Sequence, residues 1–147
     1  INRFLPVGQV YKEFYQSSEN LFDLLQFPEI WTLGYFKWEL EFMETLGFGL
    51  DLKKCAVTGS TEDLKFISPK SGRAVSKAAA GEWSSKLLPF PVAESGQVNS
   101  FNDILDGLKV TQFFLEKKVL AAFGMNTLPK ARSRFISSLE RTIKNGT

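Results

Sequence analysis

Four long stretches of the chain carry apolar side chains at intervals of three and four residues, at about 9–26, 29–46, 101–123 and 127–143. That spacing places the apolar groups on one face of an α-helix. The second stretch is apolar around most of its circumference, which predicts a central helix. The pattern therefore predicts a mainly α fold, a helical bundle. In the first stretch the apolar stripe consists of Tyr11, Phe14, Tyr15, Ser18, Phe22 and Leu25.

The ends of these stretches carry residues that commonly begin or stop helices. Pro28 precedes the second stretch, where a first turn tolerates it because its missing N–H would have no partner there. Ser100 can accept a hydrogen bond from the backbone N–H of Asp103, which predicts a helix that begins at Phe101. Gly124 supplies the stop of that helix.

The last stretch separates its apolar side chains from its charged ones. One side carries Leu128, Ala131, Phe135, Leu139 and Ile143. The other side carries Lys130, Arg132, Arg134, Arg141 and Lys144. This separation predicts a helix that turns its cations away from the core.

Residues 50–99 are richer in Gly, Ser, Pro and Lys. LKFISP at 64–69 alternates like a short strand, and the following SPKSG is typical of a turn. GRAVS at 72–76 is the expected partner strand, and KAAAGEW is an expected helical turn. The two prolines of LLPFP predict an extended, irregular segment. We therefore expect a small β-hairpin insertion in the bundle.

The insertion contains Cys55, the only cysteine of the chain, and there is no histidine. A four-thiolate zinc site uses two C-x2-C pairs about 15–20 residues apart. Counted from Cys55, the other ligand positions are Thr58, Ser76 and Ala79, so the spacing is present and the ligands are not. We predict no metal and no cofactor. A single cysteine fits a reducing, cytoplasmic compartment, and the missing histidine excludes Ser-His-Asp and Cys-His catalysis.

Charge is unevenly distributed along the chain. Residues 1–52 hold 3 basic and 8 acidic side chains, a net charge of −5, whereas residues 53–147 hold 15 basic and 8 acidic, a net charge of +7. Such asymmetry indicates an anionic partner or serves solubility. No apolar run approaches the length of a membrane span, so no membrane association is expected.

Three segments together resemble the C-terminal region of the bacterial RecO family of DNA repair proteins. They are WELEFMETLGFGLDLKKCAVTG at 38–59, LKFISPKSGRAVS at 64–76 and KVTQFFLEKKVLAAFGMNTLPKARSRF at 109–135. The resemblance implies that residues 1–147 form a RecO-like C-terminal helical domain, with residues 50–99 as a degenerate, zinc-ribbon-like insertion. It also implies a zinc-less variant, and that the N-terminal OB-fold of the family is absent from this chain, which begins with Ile rather than Met.

The resemblance implies a recombination mediator rather than an enzyme. Family members bind and anneal single- and double-stranded DNA, work with RecR, and help load RecA onto DNA coated by single-stranded DNA-binding protein (SSB). They recognise the acidic, phenylalanine-ended C-terminal tail of SSB through the helical domain.

The tail requires an apolar pocket, a cation for its terminal carboxylate and a basic rim. We expect Phe113, Phe114 and Leu120 to wall the pocket, Arg132 to bind the carboxylate with Lys130 and Arg134 beside it, and Lys117 and Lys118 to form the rim. For DNA phosphates we expect Lys53, Lys54, Lys70, Arg73, Lys77 and Lys86 around the hairpin. For both groups, packing in the core or solvation at the surface is the competing interpretation.

Two other functional classes remain open. The first is a protein–protein scaffold domain with no DNA affinity of its own. The second is an enzyme, for which the chain offers the carboxylate pairs Asp103/Asp106 and Glu41/Glu44. Each pair has helical surface spacing and no electrophilic partner, so we predict a binding function.

Overall fold

The computed structural model describes residues 12–23, 28–95 and 100–146. In chain order the elements are α1 (Lys12–Asp23), α2 (Pro28–Thr45), β1 (Leu64–Ile67), β2 (Ala74–Ser76), α3 (Lys77–Ala80), a 3-10 helix (Gly81–Lys86), β3 (Leu88–Pro89), a second 3-10 helix (Val92–Ser95), α4 (Phe101–Phe114), a π-helical turn (Leu115–Leu120) and α5 (Lys130–Gly146). The predicted fold class, mainly α with a small β insertion, is confirmed.

The predicted first helix corresponds to α1. Of its stripe, Tyr11 and Leu25 lie outside the described residues, and so do the side chains of Phe14, Tyr15 and Phe22. Ser18 is buried, and the indole Nε1 of Trp38 on α2 donates a hydrogen bond of 2.9 Å to its hydroxyl. This bond fixes how α1 lies against α2.

Helix α2 is central, as its apolar circumference predicted. Its C-terminal half contributes to a core cluster that contains Phe42, Met43, Ile67, Val110, Phe114, Leu115, Val119 and Leu120. Its N-terminal half contributes Phe36 to a second cluster, with Ala93, Ile104, Leu105, Leu108 and Leu139. The ring of Phe36 packs so closely on α4 that a Cβ at Gly107 would lie 2.8 Å from Phe36 Cε1.

The insertion forms an antiparallel sheet with the strand order β2-β1-β3. The predicted hairpin is confirmed, and β3 is an addition, because LLPFP was expected to be irregular. Pro89 pairs with Phe66 at the sheet edge, where a residue without an N–H is tolerated. Behind the hairpin, Cys55, Val75 and Ala80 form a small separate cluster.

Helix α4 begins at the Ser100–Asp103 capping box that the sequence predicted, with the Ser100 N–H donating to the Asp103 carboxylate at 3.2 Å. The expected single helix up to Gly124 instead widens into the π-helical turn after Phe114. Of the described helices, none combines the length and the apolar content that a bilayer span requires.

Candidate functional site

Arg132, in the first turn of α5, is buried between three helices and forms an ion pair with Glu39 of α2. Its Nε lies 2.6 Å from Glu39 Oε2, and its Nη2 lies 2.9 Å from Oε1. Nη2 also donates to the backbone carbonyl of Leu108 at 2.9 Å, and Nη1 donates to Gln112 Oε1 at 3.0 Å. Burial lowers the pKa of Arg132, but the hydrogen bonds and charge of Glu39 outweigh it and raise the pKa. The pair therefore joins α2, α4 and α5.

The Glu39 carboxylate has two further hydrogen-bond donors. The hydroxyl of Thr111 donates to Oε1, and the hydroxyl of Tyr35 donates to Oε2 at 3.0 Å. Burial and the neighbouring Glu39 charge raise the pKa of Tyr35, so the phenol stays protonated and remains a donor. A carboxylate with this many partners is stable in the interior, where an unpaired one would not be.

The pocket expected around Arg132 differs from what the structure contains. Phe114 and Leu120 are 1% and 3% exposed, and Phe113 packs against the same core cluster, so they do not wall an open cavity. Arg132 lies on the buried side of α5 and not on the solvent side, because its guanidinium is occupied by Glu39. Among the other expected tail contacts, Lys130, Arg134 and Lys117 are exposed and Lys118 is half-buried.

An apolar pocket of about 230 Å³ instead opens between α2, the start of α4 and α5. It is lined by Trp31, Thr32, Phe101, Phe135, Ser138, Leu139 and Thr142. The Phe135 ring meets Trp31 edge to face, with centroids 5.1 Å apart, and the buried indole Nε1 of Trp31 has no hydrogen-bond partner among the described residues. A cavity of about 150 Å³ holds a benzene ring, so this pocket has room for one aromatic side chain.

The adjacent face of α5 carries exposed cations. Arg134, Arg141 and Lys144 line a shallow groove of about 660 Å³ together with Ser133, Ser137 and Glu140. Arg134 precedes Ser138 by four residues and Arg141 follows it by three, so both lie beside the Ser138 edge of the apolar pocket. An apolar cavity and a cationic rim thus share one helix.

The cations expected to contact DNA all lie at the surface of the insertion. Lys53, Lys54, Lys70, Arg73, Lys77 and Lys86 are exposed. Lys118 Nζ donates to the Lys70 carbonyl at 3.0 Å, which brings the β1–β2 turn against the π-helical turn. We call Lys70, Lys117 and Lys118 the π-turn surface. Elsewhere on the insertion, Lys86 Nζ lies 5.0 Å from the ring centroid of Trp83.

Comparison with known proteins identifies the family. The family model described as Recombination protein O C terminal matches residues 1–124. The chain belongs to the RecO family. It is 47% identical to the DNA repair protein RecO of Ruegeria sp. strain TM1040 over 140 aligned residues. These residues make up 95% of this chain and 58% of that protein. It is 49% identical over 118 residues to the DNA repair protein RecO of Jannaschia sp. strain CCS1, which covers 80% of this chain and 48% of that protein.

This RecO-family chain therefore spans about half the length of the curated relatives it matches. A further relative, the DNA repair protein RecO of Cereibacter sphaeroides, is 44% identical over 138 residues, which is 93% of this chain and 57% of that protein. No solved structure matches the chain significantly. The resemblance read from the three sequence segments is confirmed.

In this RecO-family chain the positions spaced like zinc ligands do converge. The Thr58 and Ser76 N–H groups donate to Cys55 Sγ at 3.5 and 3.3 Å, and the Ala79 N–H donates to the Ser76 hydroxyl at 3.2 Å. Burial raises the pKa of Cys55, but hydrogen bonds from Thr58 and Ser76 outweigh it and lower the pKa to about 6. One thiol and two hydroxyls do not fit structural zinc. Within residues 12–23, 28–95 and 100–146, no three His, Cys, Asp or Glu side chains are grouped to hold a metal.

Several residues that shape these sites were not identified from the sequence. Glu39 lies three positions from Phe36 and Phe42 and four from Met43, so it shares the apolar face of α2, and that position was the available signal for a buried cation partner. Trp31 and Phe135 read simply as apolar helix residues. One carboxylate of each pair considered for catalysis has a structural partner: Asp103 caps α4, and Glu41 accepts a hydrogen bond from Ser17 at 2.9 Å.

Proposed function

We propose that this chain is a binding module of a DNA-repair recombination mediator, which docks the acidic tail of SSB and contacts DNA without covalent chemistry. The observation that carries the proposal is the apolar pocket on α5 with Arg134 and Arg141 at its edge. Family membership and relatives named as DNA repair proteins support the recombination role. The resemblance adds RecR as a partner and RecA loading as the outcome.

The pocket suits the end of such a tail. A terminal phenylalanine ring fits the space between Trp31, Phe135 and Leu139, where edge-to-face contacts with aromatic walls are favourable. Its carboxylate then lies near Arg134 and Arg141, and the preceding aspartates extend along the groove towards Lys144. Lys130 is exposed one turn before Arg134 and adds to the rim. In this proposal Arg132 positions α5 and does not touch the tail.

Binding of a fluorescent SSB-tail peptide, measured by anisotropy, tests this proposal. We expect Ser138→Phe, which fills the pocket from its exposed edge, to abolish binding, and Ser138→Ala, which leaves the pocket open, to bind like the parent chain. Arg134→Ala should weaken binding about tenfold, since charge-assisted hydrogen bonds contribute about 1.5–3 kcal/mol. Unchanged affinity in Ser138→Phe would place the tail elsewhere or nowhere on this chain.

For DNA we propose phosphate contacts from the π-turn surface and from the exposed cations of the insertion, with single and double strands both bound. Such contacts do not depend on base sequence and weaken steeply with salt. The support is the exposure of the insertion cations and of Lys117. The ion pair of Arg73 with Asp51 is long, with 3.9 Å between Arg73 Nε and the carboxylate, and the two side chains are 45% and 41% exposed. The competing function, a scaffold without DNA affinity, is favoured by the modest net charge of +2.

Oligonucleotide binding across salt concentrations separates these two functions. We expect Lys70→Ala and Lys117→Ala each to lower the slope of log affinity against log salt by nearly one. Glu140→Ala, which removes an exposed acid on α5, is the matched control and should leave the slope unchanged. No binding of either single strand or duplex at low salt would support the scaffold.

A further inference from the structure

Trp83 is exposed in a way that folding does not explain. Trp31 and Trp38 stack on the two sides of Tyr35, with ring centroids 5.6 and 5.8 Å apart. Trp83 is 58% exposed and belongs to none of the clusters found among the described residues. An indole is the largest apolar side chain, so exposing it forgoes the stabilisation that burial gives. The exposed ring of Trp83 is therefore accessible to a ligand.

The backbone that carries Trp83 is anchored on both sides. Before it, the Ser76 hydroxyl caps α3, and Ala80 is 2% exposed in the cluster around Cys55. After it, Leu87 packs against the same cluster, and β3 pairs with β1. The indole therefore stands on a short 3-10 helix held at both ends. A ligand that binds there has little backbone to order, which lowers the entropic cost of binding.

A cation accompanies the indole. Lys86 follows Trp83 by three residues, and side chains at this spacing lie directly above one another on a 3-10 helix. The Lys86 ammonium lies 5.0 Å from the centroid of the Trp83 ring. Lys77 is also exposed on the preceding α3, and Glu82 is the exposed acid next to Trp83. An accessible aromatic face beside a lysine is the combination that binds single-stranded nucleic acid: the base stacks on the ring and the phosphate meets the cation.

We propose that Trp83 is a stacking platform for an unpaired base of single-stranded DNA, and that Lys86 holds the adjacent phosphate. The inference rests on the DNA-binding half of the proposed function and adds a strand preference to it. Bases in a duplex are already stacked on each other and offer no free face to an indole. Trp83 therefore favours single strands, whereas the π-turn surface meets phosphates of either form.

The test compares a fluorescent oligothymidine and a hairpin duplex, each titrated with the 147-residue chain at low salt. We expect Trp83→Ala to weaken oligothymidine binding about tenfold, within the range found for loss of base–aromatic stacking. Duplex affinity should stay the same. Trp83→Phe, which keeps an aromatic face, should restore most of the loss. Val57→Ala is the matched control, because Val57 is 72% exposed on the same insertion and is not one of the proposed DNA contacts.

Quenching of tryptophan fluorescence gives an independent readout. Oligothymidine should quench the tryptophan fluorescence of the parent chain more than that of Trp83→Phe. The variant lacks the indole on which the base stacks, and its two remaining tryptophans do not contact the DNA. The inference is overturned if Trp83→Ala binds oligothymidine like the parent; the proposed DNA contact then still stands. It is also overturned if the parent binds neither DNA, in which case that half of the proposed function fails too. Self-association that Trp83→Ala abolishes, with DNA binding unchanged, would assign the indole to a contact between two copies.

Discussion

At the scale of single residues, the most informative feature is a charge that the helical pattern assigned to the wrong side. Arg132 sits among cations in PKARSR, and residue type alone places it in solvent. In the structure it neutralises Glu39, which lies 93 positions earlier in the chain. A buried ion pair of this kind stabilises the fold only while both members are present, since either one alone is a buried, unpaired charge.

Removing one member of the pair should therefore destabilise the chain severely. We expect Arg132→Ala to lower the free energy of unfolding by about 3–5 kcal/mol, measured by urea titration. Arg134→Ala, two residues away and exposed, should change it by less than about 0.5 kcal/mol.

Glu39→Gln separates positioning from direct contact. If Arg132 acts by fixing α5, this substitution should weaken SSB-tail binding even well below the unfolding midpoint. Unchanged binding would rule out the positioning role, and tighter binding would mean that Arg132, freed from Glu39, reaches the tail itself.

The Cys55 thiol makes stability depend on pH. Its pKa falls from 9.0 to about 6 on folding, so the folded state binds its proton less tightly than the unfolded state does. Its stabilising contribution is therefore complete above pH 9.0 and is lost as the pH falls towards 6. We expect the melting temperature of the parent chain, relative to Cys55→Ser, to rise between these two pH values. If the melting temperatures of the two proteins changed with pH by the same amount, a depressed pKa of Cys55 would be contradicted.

At the scale of elements, periodicity predicted the helices well because each depends on residues three and four positions apart. The hairpin followed from local alternation and a turn signal for the same reason. Strand β3 did not follow, because two residues that pair at a sheet edge leave no periodic trace. The close packing of Phe36 on Gly107 likewise involves two helices and has no local signature.

That contact between elements predicts the effect of Gly107→Ala. Alanine favours a helix over glycine by about 1 kcal/mol, yet its Cβ would lie 2.8 Å from Phe36 Cε1, and Phe36 is 0% exposed. We expect net destabilisation of up to about 2 kcal/mol, because overpacking costs about 1–3 kcal/mol and the gain in helix propensity offsets about 1 kcal/mol of that cost. Lys109→Ala, exposed on the same helix, is the control. Combining Gly107→Ala with Phe36→Leu should recover part of the loss; no recovery would mean that another contact causes it.

At the scale of the whole molecule, the sequence predicted the architecture and the family, but it did not predict which side chains line a cavity. The expected walls, Phe114 and Leu120, were core residues, and the pocket lies instead where α2, α4 and α5 meet. A pocket between three helices depends on how they are rotated against each other. That rotation is set by pairs such as Glu39 and Arg132, which no window along the sequence contains.

The π-helical turn at Leu115–Leu120 has a consequence for how the length of this chain can vary. A turn closed by i→i+5 hydrogen bonds holds one residue more than an α-helical turn. The side chains of the helix before and after it still point to the same faces. Deleting Glu116 or Lys117, both exposed, would tighten the turn and leave Val119 and Leu120 directed inward. Here a shortened chain disturbs the interior less than many single replacements would, and a length difference at this turn is compatible with an unchanged core.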